Sequence, residues 1–76
     1  MRVLLFAALR DAAGPSVEVT LPAGATVRAL RAELARVLPA ALLARSAIAV
    51  NHEYADESRA VTEGDEVAVI PPVSGG

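Results

Sequence analysis

The two most apolar runs of this sequence stand at its opposite ends. Met1 to Leu9 is apolar but for Arg2, and Glu66-Val67-Ala68-Val69-Ile70 is nearly as apolar. Runs of this kind, bounded by turn residues, fit strands covered on both faces. The chain has 76 residues and no cysteine. A chain this short buries roughly 60–65% of its unfolded surface, and no disulfide can staple it. Packing alone must hold it together. The two runs are therefore expected side by side in the middle of one sheet, running parallel. The length allows one domain, placed at residues 1–70, with 71–76 as an extended tail.

The intervening segments fill in the rest. Ser16-Val17-Glu18-Val19-Thr20-Leu21 alternates, which marks a half-buried strand. With Arg10 to Pro15 as the turn, it forms a β-hairpin with the first run. Pro22-Ala23-Gly24-Ala25 breaks the strand, and Thr26 is placed to cap a helix. Val27, Leu30, Leu34, Val37 and Leu38 then fall within about 100° of a helical wheel, one core-facing stripe, with Arg28, Glu33 and Arg36 off it. Pro39 ends that helix, and Ala40 to Ala44 adds another helical turn. Ala47 to Val50 is a third strand, Asn51-His52 its turn, and Glu53-Tyr54-Ala55 a brief edge strand. Thr62 to Asp65 is a turn in which Gly64 supplies positive φ most easily. The order is β-β-α-β-(β)-β. A mixed sheet of four to five strands on one main helix, an α+β fold of the β-grasp kind, is the economical packing.

Strand alternation then assigns faces. With Val3, Leu5 and Ala7 toward the helix, Leu4, Phe6 and Ala8 point away from it. In the last strand Val67 and Val69 point inward, and Ala68 and Ile70 outward. The outer face then carries Leu4, Phe6, Ala68 and Ile70, an apolar patch of the kind that marks a partner surface. Coverage of this face by loops, or an exchange of the two faces, is the alternative.

Charge and composition exclude several classes. The net charge is −2, and all seven basic residues are scattered arginines. A nucleic-acid binder needs a basic patch, so no nucleic-acid partner is expected. The missing lysine has two readings, a base-composition bias or protection of an activated acyl group from amines. The apolar start faintly imitates a secretory signal, but Arg10 and Asp11 interrupt it before any cleavage site. No run is long enough to span a membrane. A cytoplasmic protein without a membrane partner is expected.

Conventional catalytic groups are scarce. There is no cysteine or lysine, and the single histidine, His52, falls in a turn. A solvated turn histidine is the better reading, because a metal site wants several ligands together; no metal is expected. The acidic clusters Asp56-Glu57 and Glu63-Asp65-Glu66 read as solvated loop charges rather than a general acid/base pair. Gly24, Gly64 and Gly75-Gly76 form no phosphate-cradling pattern. What remains is the carboxylate of Gly76. Pro71-Pro72 lacks N–H groups, ends the ladder and stiffens the chain. Six extended residues reach at most about 20 Å. Ser74, Gly75 and Gly76 are slender enough for a narrow cleft. A frayed terminus is the plain alternative.

Gly64-Asp65-Glu66-Val67-Ala68 leading to Pro71-Pro72-Val73, Ser74 and Gly75-Gly76 resembles the sulfur-carrier (small) subunit family of molybdopterin synthase. Phe6, Arg10, Gly14, Thr26-Val27 with Leu30, and Val50-Asn51 fit the same pattern, and the resemblance spans essentially the whole chain. Val61 stands where that family often has leucine, and Tyr54 to Arg59 matches no firm motif. The resemblance implies a ubiquitin-like β-grasp fold. It implies that Gly76, with Gly75 beside it, is adenylated at the expense of ATP by a ubiquitin-activating-like adenylyltransferase and converted to a thiocarboxylate. That group then donates sulfur to cyclic pyranopterin monophosphate inside the large subunit, in a heterotetramer. The chain itself would bind no cofactor and be non-catalytic alone. With the face argument, the expected partner interface is Leu4, Phe6, Arg10, Ala68, Ile70, Pro71, Pro72, Val73 and Ser74. Carriers for thiamine or tRNA thiolation also end in Gly-Gly. A non-reactive β-grasp interaction module is the reading from another class.

Overall fold

The computed structural model describes residues 1–72. The terminal strands meet as expected: β1 (Arg2–Leu5) lies parallel to β5 (Val67–Ile70), with Val3 opposite Val67, Leu4 opposite Ala68 and Leu5 opposite Val69. β2 (Ser16–Glu18) runs antiparallel to β1, and β3 (Ala47–Val50) antiparallel to β5; β4 (Glu53–Tyr54) closes the far edge. Among the described residues these five strands form one mixed sheet in the order β2-β1-β5-β3-β4.

Alternation along the central strands decides what is core. Val3, Leu5, Val67 and Val69 are buried. They join Ile48 and Val50 of β3 in a cluster with Val27, Leu30 and Leu34 of the main helix, α2 (Val27–Leu34). Leu43 of α3 (Ala40–Ala44) completes that side. Among the described residues no helix is long and apolar enough to cross a membrane.

Three local expectations are corrected. The first apolar run is not one strand. β1 stops at Leu5, and Ala7 to Ala13 is a helix, α1, where a hairpin turn was expected. Ala7, Ala8, Ala12 and Ala13 favour a helix, and Leu9 is buried from that helix rather than from a strand. Periodicity cannot separate these two cases in a short apolar run. Gly14, at φ 91°, ends α1 with its N–H donated to the Arg10 carbonyl at 2.8 Å.

The second correction concerns the stripe on α2. The helix ends at Leu34, and the chain tightens: Arg36 N–H donates to Glu33 O at 3.1 Å and Val37 N–H to Leu34 O at 3.0 Å. Such i→i+3 bonds rotate the last turn. Leu38 stays buried, but Val37 swings out and is 58% exposed. At the other end Thr26 occupies the N-cap position without a cap bond from its hydroxyl. The loop before the last strand satisfies the helix instead, since Val27 N–H donates to Arg59 O and Arg28 N–H to Glu57 O.

The third correction lies in the Thr62–Asp65 turn, where Gly64 does not use the left-handed region. The turn is held by Asp65, whose carboxylate accepts from Thr62 N–H at 2.8 Å and from Asn51 Nδ2 at 3.0 Å. Left-handed backbone is found instead at Asn51 (φ 53°) and His52 (φ 70°), which form the β3–β4 hairpin turn. Two consecutive residues of this kind match the twist of a hairpin. Asn51 Oδ1 also accepts from Glu66 N–H at 2.9 Å, tying the hairpin to the start of β5.

Arg31 holds the helical side together. Its Nη1 donates to Leu43 O at 2.9 Å and its Nη2 to Ser46 O at 2.6 Å, so one guanidinium satisfies carbonyls at and beyond the end of α3. Its Nε lies 3.3 Å from Glu57 Oε2, in the loop that caps α2. Hydrogen bonds from a charged donor are each worth about 1.5–3 kcal/mol. Arg31→Ala is expected to destabilise the fold by about 2 kcal/mol, and Arg31→Lys to recover only part, because an ammonium lacks the planar fork. Urea unfolding measures both; a loss for Arg31→Ala below about 0.5 kcal/mol contradicts this role. Asp65 gives a pH signature. Its bonds from Thr62 N–H and then Asn51 hold the carboxyl below its ordinary value of 3.8. The folded-state value is the lower one, so this stabilisation is present at neutral pH and is lost as pH falls through the folded value. Asp65→Asn is expected to lose less stability than the parent between pH 5 and pH 2, roughly the range in which carboxyls titrate. Identical acid limbs contradict it.

Candidate functional site

The same alternation that buries Val3 and Val67 turns Leu4, Ala68 and Ile70 to the opposite face. Phe6 follows β1 in extended conformation (φ −130°, ψ 158°), so it keeps the outward parity of Leu4 although it is no longer in the ladder. Ala7, at φ 51°, then turns the chain away into α1. Phe6 is left 44% exposed on the outer surface of the sheet.

Leu4, Phe6, Ala68 and Ile70 line one groove of about 370 Å³. Among the described residues the face expected from the sequence is therefore the open one, neither covered by loops nor exchanged with the core. The structure adds Ala49, His52, Tyr54 and Glu66 to the lining. Tyr54 was within reach of sequence reasoning: a two-residue turn at Asn51-His52 pairs Tyr54 with Ala49, on the face opposite Ile48 and Val50. His52 is exposed, and its Nε2 lies 3.3 Å from Glu66 Oε2. The sequence offered no carboxylate partner for His52; Glu66 is that partner across the groove's lip, brought there by the Asn51 clamp on its backbone.

The other expected interface residues are placed differently. Arg10 is exposed on α1 and does not line the groove. Pro71 is buried directly after β5, and Pro72 is exposed. Pro71 and Pro72 thus follow directly on Ile70, which lines the groove. Val73, Ser74, Gly75 and Gly76 lie outside the described residues.

The groove's floor and walls are apolar, with a polar lip at one end. That composition suits a protein surface more than a reaction chamber: among the described residues no Ser, Thr, Cys or Lys lines it, and its titratable side chains, His52, Tyr54 and Glu66, are exposed. Among the described residues no group of three or more His, Cys, Asp or Glu side chains could hold a metal ion.

Known proteins resemble this chain in sequence and in fold. The chain is 39% identical over its full length to the molybdopterin synthase sulfur carrier subunit of Arabidopsis thaliana, covering 82% of it. It is 37% identical, again over its full length, to the subunit of the same name from Chlamydomonas reinhardtii, covering 98%. Among solved structures, SAMP1 from Haloferax volcanii superposes with a TM-score of 0.82 at 32% identity, covering 99% of this chain and 97% of that one. A putative molybdopterin converting factor subunit 1 from Pyrococcus furiosus gives 0.78 at 32% identity, with 95% of each chain covered. The BexX/CysO complex of Amycolatopsis orientalis gives 0.72 at 26% identity, covering 99% of this chain and 98% of that one. The fold is the ubiquitin-like β-grasp these sulfur carriers share. The ThiS family model matches residues 3–76, and with likeness of that extent in both sequence and fold, this chain belongs to the ThiS family.

Proposed function

We propose that this chain is the sulfur carrier of molybdopterin synthase, with Gly76 as the atom-bearing end and the outer sheet face as the grip for the large subunit. The observation that carries the reading is the apolar groove that runs to Ile70, where the tail begins. A partner seated there holds the carrier within a few residues of its reacting end. The names of the curated relatives, and the solved complex of a similar chain with a second protein, support the same assignment. The names of the curated relatives favour molybdopterin over thiamine or tRNA thiolation.

The chemistry follows from what a carboxylate can and cannot do. Gly76 is inert as a carboxylate because oxide is a poor leaving group. An adenylyltransferase attaches the carboxylate oxygen to the α-phosphorus of ATP, releasing pyrophosphate. Hydrosulfide, supplied by a sulfur donor, then attacks the acyl carbon and expels AMP, leaving a thiocarboxylate. This sulfur attacks a side-chain carbon of cyclic pyranopterin monophosphate within the large subunit as the oxygen substituent on that carbon departs, and water then cleaves the resulting acyl thioester, returning the Gly76 carboxylate and leaving a thiol on the pterin. The carrier contributes no acid or base to these steps. It supplies a slender acyl terminus and a surface that fixes where that terminus goes, which is a proximity effect.

Deletion of Gly75-Gly76 is expected to abolish sulfur transfer in a reconstituted synthase while leaving the circular dichroism and melting profile of the globule unchanged. Full activity of the truncated chain contradicts the proposal. Phe6→Ala is expected to weaken binding to the large subunit by about 2 kcal/mol, roughly thirtyfold. An unchanged dissociation constant by calorimetry takes Phe6 out of the interface.

A further inference from the structure

The chain has one phenylalanine, one tyrosine and no tryptophan. A small core is where such side chains stabilise a fold most, yet Phe6 is 44% and Tyr54 75% exposed, and both line the same groove. The sheet register explains the groove's shape. Tyr54 pairs with Ala49, Ala49 with Ala68, and Ala68 with Leu4. One outward-facing row therefore crosses four strands as large, small, small, large. Phe6 and Ile70, the last residue of β5, line the same depression. Ala49 is only 7% exposed although it faces away from the helices, because it lies at the bottom of this depression.

The register sets Ala49 beside Ala68 between the larger side chains, and the polar side chains among the lining residues are His52, Tyr54 and Glu66, all exposed. A small-molecule pocket combines apolar walls with convergent polar groups that fix orientation, whereas among the described residues the polar side chains of this groove are three exposed ones. A concavity with an apolar floor and aromatic walls accepts a side chain instead, as a hole accepts a knob. Aromatic walls of this kind are where interface energy concentrates.

We propose that the Ala49–Ala68 socket receives one protruding leucine- or phenylalanine-sized side chain from the large subunit, with Tyr54 as a second aromatic anchor beside Phe6. The inference rests on the sulfur-carrier reading and adds to it a specificity determinant made of missing volume. Filling the hole excludes the knob, whereas trimming its wall weakens the grip. Ala68→Leu fills it, and its side chain points away from the core, so the fold tolerates the change.

The test measures the dissociation constant of the full chain with the large subunit of molybdopterin synthase, by calorimetry, alongside melting temperature and sedimentation. Ala68→Leu is expected to weaken binding at least about a hundredfold, and Tyr54→Ala about tenfold, with melting within about 3 °C of the parent. Unchanged affinity in Ala68→Leu, with Phe6→Ala weakened, overturns the socket and leaves the docking face standing. Unchanged affinity in both overturns the docking face itself. If Ala68→Leu melts early, Tyr54→Ala decides, and parent-like affinity there overturns the proposal. A parent dimer that Ala68→Leu dissociates assigns the socket to a second copy and also overturns it.

Discussion

The parallel pairing of β1 with β5 governs the rest of this molecule. It joins the two ends of the chain at the centre of the sheet, with Val3 against Val67 and Leu5 against Val69. Side chains alternate across a strand with period two, so this register fills two surfaces at once. Val3, Leu5, Val67 and Val69 go into the core, and Leu4, Ala68 and Ile70 into the groove. A one-residue slip would turn each set onto the other's side. Core stability and the docking face are therefore one constraint, and the tail root at Pro71 is positioned by the strand that closes the core.

The periphery is held by polar devices rather than by bulk. Arg31 spans the end of α3 and the Glu57 loop, and that loop's carbonyls cap α2 in place of Thr26. Asn51 and Asp65 fasten the hairpin turn and the β5 entry to each other. With no disulfide and alanine at many apolar positions, each of these contacts holds a large share of a small stability. They also leave both aromatic residues free for the surface.

Much of this was legible in the sequence because it depends on alternation. The central strands and their parallel pairing follow from the two most apolar runs, and the faces of Leu4, Phe6, Ala68 and Ile70 from period-two alternation that tertiary context did not override. What the pattern missed depends on contacts remote in sequence. The run Met1 to Leu9 carries no periodicity that separates strand from alanine-rich helix, so α1 was hidden, and with it the position of Arg10. Val37 fitted the helical stripe, but the tightening after Leu34 turned it out. Tyr54 and Glu66 joined the site through the register of β3 with β4 and β5. Of these, only the β3–β4 pairing could be drawn from a turn signal.

The reading makes the globule a handle and Gly76 the reacting group. Incubation with an adenylyltransferase, ATP and a sulfur donor, followed by intact and fragment mass spectrometry, tests that division most directly. The account predicts a gain of about 16 Da, sulfur for oxygen, localised to Gly76 and absent without ATP, as acyl activation requires. An unmodified final residue in material that still delivers sulfur to the pterin precursor contradicts it.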